Sequence, residues 1–168
     1  MVKAAGAVCV LLGCLLPVCH RLRLEREHIA QLGALAQALD GMRRQLTICA
    51  PPMEELLAYA GRTPEGTVRR FFTALRLEEL EQRPFVALWD GAIRSSGLAL
   101  NREERETLSQ VGQVLGTCGV EEQCDRLADA ADTLRCYQTR RREALRGERR
   151  LWYTLAASAG LLVVLILF

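Results

Sequence analysis

Residues 120–168 read VEEQCDRLADAADTLRCYQTRRREALRGERRLWYTLAASAGLLVVLILF, and this stretch decides the fold. Its first part sets Val120, Cys124, Leu127, Ala131 and Leu134 at alternating spacings of four and three, the seam of an amphipathic helix. After Leu134 the seam positions become Gln138 and Arg141, so the helix is expected to leave the core and turn polar on all sides. From Leu151 to Phe168 no charge occurs for 18 residues. As a helix that run measures about 27 Å, just under a hydrocarbon thickness of about 30 Å. Arg146, Arg149 and Arg150 precede it, and Trp152 and Tyr153 stand at its start, where amphipathic rings prefer the headgroup level. Uninterrupted, residues 120–168 would make a rod of about 73 Å.

The other end of the chain mirrors this arrangement. Ala4 to Cys19 carries no charge over 16 residues, about 24 Å of helix, and crosses a bilayer if Lys3 and His20 or Arg21 reach outward. Beyond it Leu22, Ile29, Leu32, Leu35, Leu39, Met42 and Leu46 keep one apolar stripe for about seven turns, until Pro51 and Pro52 stop the helix. The expected architecture is all-α. Two long antiparallel helices form a stalk and continue into membrane spans at residues 2–19 and 151–168, and shorter helices pack against them in a cytoplasmic bundle, residues 20–150.

Charge placement orients the chain. Arg21, Arg23 and Arg26 flank the first run on its inner side, and six arginines between Arg140 and Arg150 flank the second, against Lys3 alone on the far side. The positive-inside rule then places residues 20–150 in the cytoplasm and both termini outside, a multi-pass protein of the cell membrane. Seven cysteines without paired spacing agree with a compartment where thiols stay reduced. Two other readings of the first run export the middle instead. One is a cleaved signal peptide, the other a lipoprotein signal cut at Cys14 in the sequence Leu11, Leu12, Gly13, Cys14. Against both, the apolar run continues through Leu15, Leu16 and Val18 into an Arg-rich helix with no tether.

Of 168 residues, half are hydrophobic and a quarter charged, with 22 basic side chains against 20 acidic ones. Lys3 is the one charged side chain outside residues 20–150, so the middle must build its core with fewer apolar residues than the total suggests. The low aromatic content, 5%, and the dominance of Ala, Leu, Arg, Glu and Gln argue against a sandwich or barrel. Within the middle, Pro52 to Ala60 reads as a short helix ending at Gly61. Pro64 opens a second carrying Val68, Phe71, Phe72 and Leu75, and Pro84 a third with Phe85, Leu88, Trp89 and Ile93. Asn101 followed by Glu104 is a capping-box arrangement for a helix bearing Leu108, Val111, Val114 and Leu115. Gly112 and Gly116 in that helix predict close approach of a neighbouring helix backbone.

Chemistry is sparse. His20 and His28 lie beside the membrane and read as solvated or interfacial. Paired CxxC, HExxH, GxSxG and phosphate-binding glycine loops do not occur, so neither metal nor cofactor is expected. Adjacent carboxylates at 54–55, 78–79, 103–104 and 121–122 read as solvated helix surface, because neighbours on one helix do not converge in a cleft. The arginine run is diluted by Glu143 and Glu148 and has no aromatic platform, which favours anionic headgroups of the lipid bilayer over nucleic acid. No enzyme, and no small-molecule substrate, is expected.

The order of features resembles stage III sporulation protein AB of endospore-forming bacteria. The resemblance runs through Gly6 and Gly13 in the first run, QLTICAPPMEELL, Phe71 and Phe72, FVALWDGAI around Trp89, LNREERETLSQVGQVLG leading to Gln123, and the Arg-rich entry to the last run. Leu115 and Gly116 are followed by TCGVEE where the family usually has a small polar residue and Asp, and Ala50 precedes the prolines where threonine is common. The resemblance implies a non-enzymatic component of the channel complex joining mother cell and forespore, made in the mother cell. It also implies a bundle similar to the platform-protein domains of type II secretion and type IV pilus machines, contacting the other stage III channel proteins and their secretion-type ATPase. In that frame the turn holding Leu115, Gly116 and Gln123 is a candidate partner contact, against the simpler reading that it only packs the bundle. A membrane-tethered adaptor outside sporulation and a lipoprotein exported through Cys14 are the alternative functions.

Overall fold

Six helices form, α1 Val2–Cys49, α2 Met53–Ala60, α3 Gly66–Thr73, α4 Phe85–Ser95, α5 Arg102–Val114 and α6 Val120–Leu167, of which α2, α3 and α4 open one or two residues after Pro52, Pro64 and Pro84. The computed structural model describes the backbone of residues 2–75 and 83–167 and the side chains of 20–75 and 83–147; among these there is no strand. α1 ends where Ala50 takes a left-handed φ of 41° ahead of the two prolines, its N–H still reaching the Leu46 carbonyl at 3.2 Å. α3 starts two residues after Pro64, because the Glu65 carboxylate caps it by accepting from the Val68 N–H. α5 carries the full capping box: Asn101 Oδ1 accepts from the Glu104 N–H, and Glu104 Oε2 from the Asn101 N–H, both at 2.8 Å.

The chain divides into two compact units. One comprises residues 28–139. Its core is a stripe from each long helix, Leu32, Leu35, Leu39, Met42 and Leu46 on α1 and Leu127, Ala131 and Leu134 on α6, closed over by the short helices. Thr47 meets Cys124, Asp40 meets Arg135, and Gly33 meets Gln138, so the two helices run antiparallel. Gly33 has no side chain where the Gln138 amide lies, and that amide donates to the Ile29 carbonyl at 3.0 Å. The seam positions are polar as read, but α6 stays packed there, with Tyr137 against the core and Gln138 in the Gly33 slot, so the expectation that α6 leaves the core after Leu134 is corrected. Burial pushes the Asp40 carboxyl up, but the hydrogen bond and charge of Arg135, with Arg43 and Arg44 alongside, outweigh it and hold it below the ordinary carboxylate value.

Trp89 anchors the short helices. It is fully buried, donates its indole N–H to the Leu108 carbonyl at 2.7 Å, and meets Phe71 edge-on with centroids 4.9 Å apart. Gly112 lies against it: a Cβ there would stand 2.4 Å from Trp89 Cδ1. The close approach expected at this glycine is thus made by an indole ring and not by helix backbone. Gly116 has a different reason again. It follows the last turn of α5 with a φ of +79°, a left-handed position that favours glycine.

The second unit comprises residues 1–27 and 140–168. Within it Arg141 Nη1 donates to Glu25 Oε2 at 3.3 Å, so this seam position too is a polar contact, and Arg23 pairs with Glu27 at 3.1 Å. Among the described residues no helix is long and apolar enough to cross a membrane. Both apolar runs expected to span, with Cys14, Arg149, Arg150, Trp152 and Tyr153, lie outside the described side chains; Arg21, Arg23 and Arg146 lie within them and are exposed.

Candidate functional site

The end of the 28–139 unit where α1 stops, α2 starts and α5 turns into α6 collects the features that suit a protein partner. The turn is built from backbone requirements. Leu115 leaves the helix in an extended conformation, Gly116 reverses the chain, and the Thr117 and Cys118 N–H groups return to the Val114 carbonyl. Gln123 then locks it from the α6 side, donating from Nε2 to the Cys118 carbonyl at 2.7 Å.

The sequence-predicted contact residues share this turn, though they face different ways. Leu115 is part of the core, Gln123 is turned onto the turn's own backbone, and Gly116 is exposed. Outward-facing groups lie beside them. Ile48 at the end of α1 is 78% exposed and Val120 at the start of α6 is 44% exposed. Ile48 follows Thr47 and Val120 stands one helical turn before Cys124, and the Thr47 and Cys124 side chains touch across the two helices. The exposed carboxylates Glu54, Glu55, Glu121 and Glu122 occupy the first turns of α2 and α6, where each helix dipole favours them. Exposed apolar residues and acidic helix starts at one end of the unit make a surface that can bury against a partner with basic groups beside its own apolar contacts. Sequence reasoning missed Ile48 and Val120 as contacts: Val120 begins the apolar seam of α6, Ile48 lies two positions past Leu46 and off the α1 stripe, and exposure at a helix end is decided by where the other helices stop.

Gly116→Ala is expected to cost about 1 kcal/mol of stability through the left-handed φ, and Gly116→Asn clearly less. Thermal unfolding of the full chain in mild detergent checks this. Equal losses would assign the cost to the Met53 methyl, 3.3 Å from a Cβ at this position.

Histidine and carboxylate chemistry is placed elsewhere. His28 is not solvated as expected: its Nε2 pairs with Glu104 Oε2 at 2.8 Å, and Glu104 is completely buried. Of the carboxylate pairs read as surface, the 103–104 pair is therefore corrected at Glu104. The 78–79 pair lies outside the described residues. The His28–Glu104 pair joins α1 to the start of α5 and is absent from the lining of the cleft between α4 and α5. Among the described residues no group of three or more His, Cys, Asp or Glu side chains could hold a metal ion, and Cys49, Cys118, Cys124 and Cys136 form no disulfide.

Comparison with known proteins places this geometry. The sequence profile of the family described as Stage III sporulation protein AB (spore_III_AB) matches residues 3–168. A solved structure of a stage III sporulation protein AB superposes with a TM-score of 0.58 at 17% identity, covering 71% of this chain and 97% of that one. At that identity the likeness shows a shared fold. No curated protein sequence matches the chain.

Proposed function

The chain belongs to the stage III sporulation protein AB family, a stage III component of spore formation, and from that premise we propose that it is a non-enzymatic membrane platform. In this reading it works in the mother cell to forespore channel complex. The two apolar runs anchor it in the cell membrane, the arginines beside them lie against anionic headgroups, and the helical unit stands in the mother-cell cytoplasm. There the α5–α6 end, with Ile48 and Val120 exposed and with carboxylates in the first turns of α2 and α6, contacts the secretion-type ATPase of the complex. The observation that carries the reading is the family match over residues 3–168, which includes both apolar runs and the whole helical middle.

Deleting the gene tests it. Sporulating cells are expected to complete engulfment and stop there, with spores restored by the wild-type gene. An Ile48→Asp, Val120→Asp copy should accumulate at the membrane and fail to restore them. Normal sporulation of the deletion strain would overturn the channel role, and rescue by the double variant would overturn this end as the contact. Exposed Cys49 and Cys136 are the reporters for topology, since a membrane-impermeant thiol reagent should not reach them in intact cells.

A further inference from the structure

A cleft of about 470 Å³ lies between the second half of α4 and α5, with Arg102 and Arg105 at the start of α5 and its far end at Gln113, two residues before the α5–α6 turn begins at Leu115. Arg94 from α4 and Arg102 and Arg105 from α5 line it, and all three are exposed. The placement of the last two is unfavourable for folding. Arg102 and Arg105 stand in the first turns of α5, where the macrodipole opposes a cation at a cost of about 0.3–1 kcal/mol each. No compensation comes from ion pairs: among the described residues none of the three arginines has a carboxylate within 4.0 Å. Asp90, which shares the cleft, is held by the Ser109 hydroxyl at 2.7 Å instead. The cleft thus presents guanidinium forks with unused donors, the geometry that takes carboxylates in pairs of parallel hydrogen bonds.

We infer that this α4–α5 cleft binds an acidic segment of a partner protein, its carboxylates spaced to meet Arg94, Arg102 and Arg105. The shape and the mixed charge choose this ligand. From Arg102 to Gln113 the lining follows about 17 Å of α5, too long for one small anion and suited to a peptide. Asp90 and Glu106 lie among the arginines and repel a dense polyanion such as nucleic acid. A peptide whose acids are separated by neutral residues leaves those two carboxylates opposite uncharged or basic groups. Buried Ile93 supplies an apolar wall. The inference adds a second partner surface and stands whether or not the α5–α6 end meets an ATPase.

The test uses the full chain in nanodiscs of zwitterionic lipid. The probe is a labelled helical peptide with glutamate at every fourth position among alanine and glutamine, titrated by fluorescence anisotropy. Saturable binding is expected that weakens about tenfold in the Arg102→Glu, Arg105→Glu variant and is unchanged by Arg126→Glu on α6. Charge reversal at the start of α5 suits the helix dipole, so the variant should melt no lower than the wild type. If it does melt lower, Arg102→Gln with Arg105→Gln replaces it, with the same expected direction. Absence of saturable binding, equal weakening by Arg126→Glu, or displacement of the peptide by inorganic phosphate, duplex DNA or anionic vesicles at lower concentration than by unlabelled peptide would each overturn the proposal. None of these readouts involves sporulation, so failure here is distinct from failure of the channel role.

Discussion

Trp89→Ala is expected to lower stability by about 4 kcal/mol, the range for emptying a large aromatic site in a well-packed core. The indole is fully buried, it is surrounded by Phe71, Phe72 and Phe85, and its N–H holds the Leu108 carbonyl. Removing it detaches α3, α4 and α5 from one another at once. Trp89→Phe keeps most of the ring surface and loses the hydrogen bond, so about 1–2 kcal/mol is expected. The contact with Gly112 supplies a sharper test. Alone, Gly112→Ala should cost about 2 kcal/mol, because its Cβ would overlap Trp89 Cδ1 and a buried indole has nowhere to move. In the Trp89→Ala background the same change should cost little or stabilise, giving a coupling of 1 kcal/mol or more, well above the roughly 0.3–0.5 kcal/mol scatter of independent sites. Denaturant unfolding of the full chain, followed by helical circular dichroism, measures all four corners of the cycle. Additive losses would show that the glycine serves some purpose other than seating the ring.

The cycle also illustrates what could and could not be read in the chain. Helix positions follow from prolines and from apolar spacing, both local properties, and the Asn101–Glu104 capping box is a short-range pattern that forms as written. Gly112 announced a close approach without naming what approaches, because the partner is 23 positions away in the chain and its side chain, not its backbone, does the packing. The polar seam was misread for the same reason. Gln138 has no place in an apolar pattern, yet Gly33 opens a slot for its amide, and a glycine on one helix facing a glutamine on another leaves no periodic signal. The candidate partner end was legible as a turn. Which of its residues face outward was not, since Leu115 and Gln123 turn inward through contacts that the turn itself creates. Glu104 is the instructive case. It stands four before Leu108, on the stripe that continues through Val111 and Leu115, so its burial was available from spacing, and the default assignment of carboxylate pairs to surface concealed it.

Glu104→Ala is expected to cost about 3 kcal/mol, close to the loss at Trp89 although the side chain is polar. The carboxylate serves two neighbours at once: Oε2 accepts from the Asn101 N–H at 2.8 Å and pairs with His28 Nε2 at 2.8 Å. Alanine undoes the helix cap, leaves the largely buried His28 ring facing a void, and releases the start of α5 from α1. Glu104→Gln preserves the shape and one acceptor oxygen, so about half that loss is expected. His28→Ala should be costly in the wild type and nearly free once Glu104 is alanine, a coupling that separates a shared contact from two independent defects. A consequence for binding follows from position. Arg102 and Arg105 stand on the turn that the Glu104 pair secures, so in Glu104→Gln the amides of residues 102–105 should exchange hydrogen faster than those of α4. Acidic-peptide affinity should then fall while the bundle is still folded. Unchanged exchange at α5, together with a loss under about 1 kcal/mol for Glu104→Ala, would show that the start of α5 is held by its apolar face alone and that the buried carboxylate is a passenger in the core.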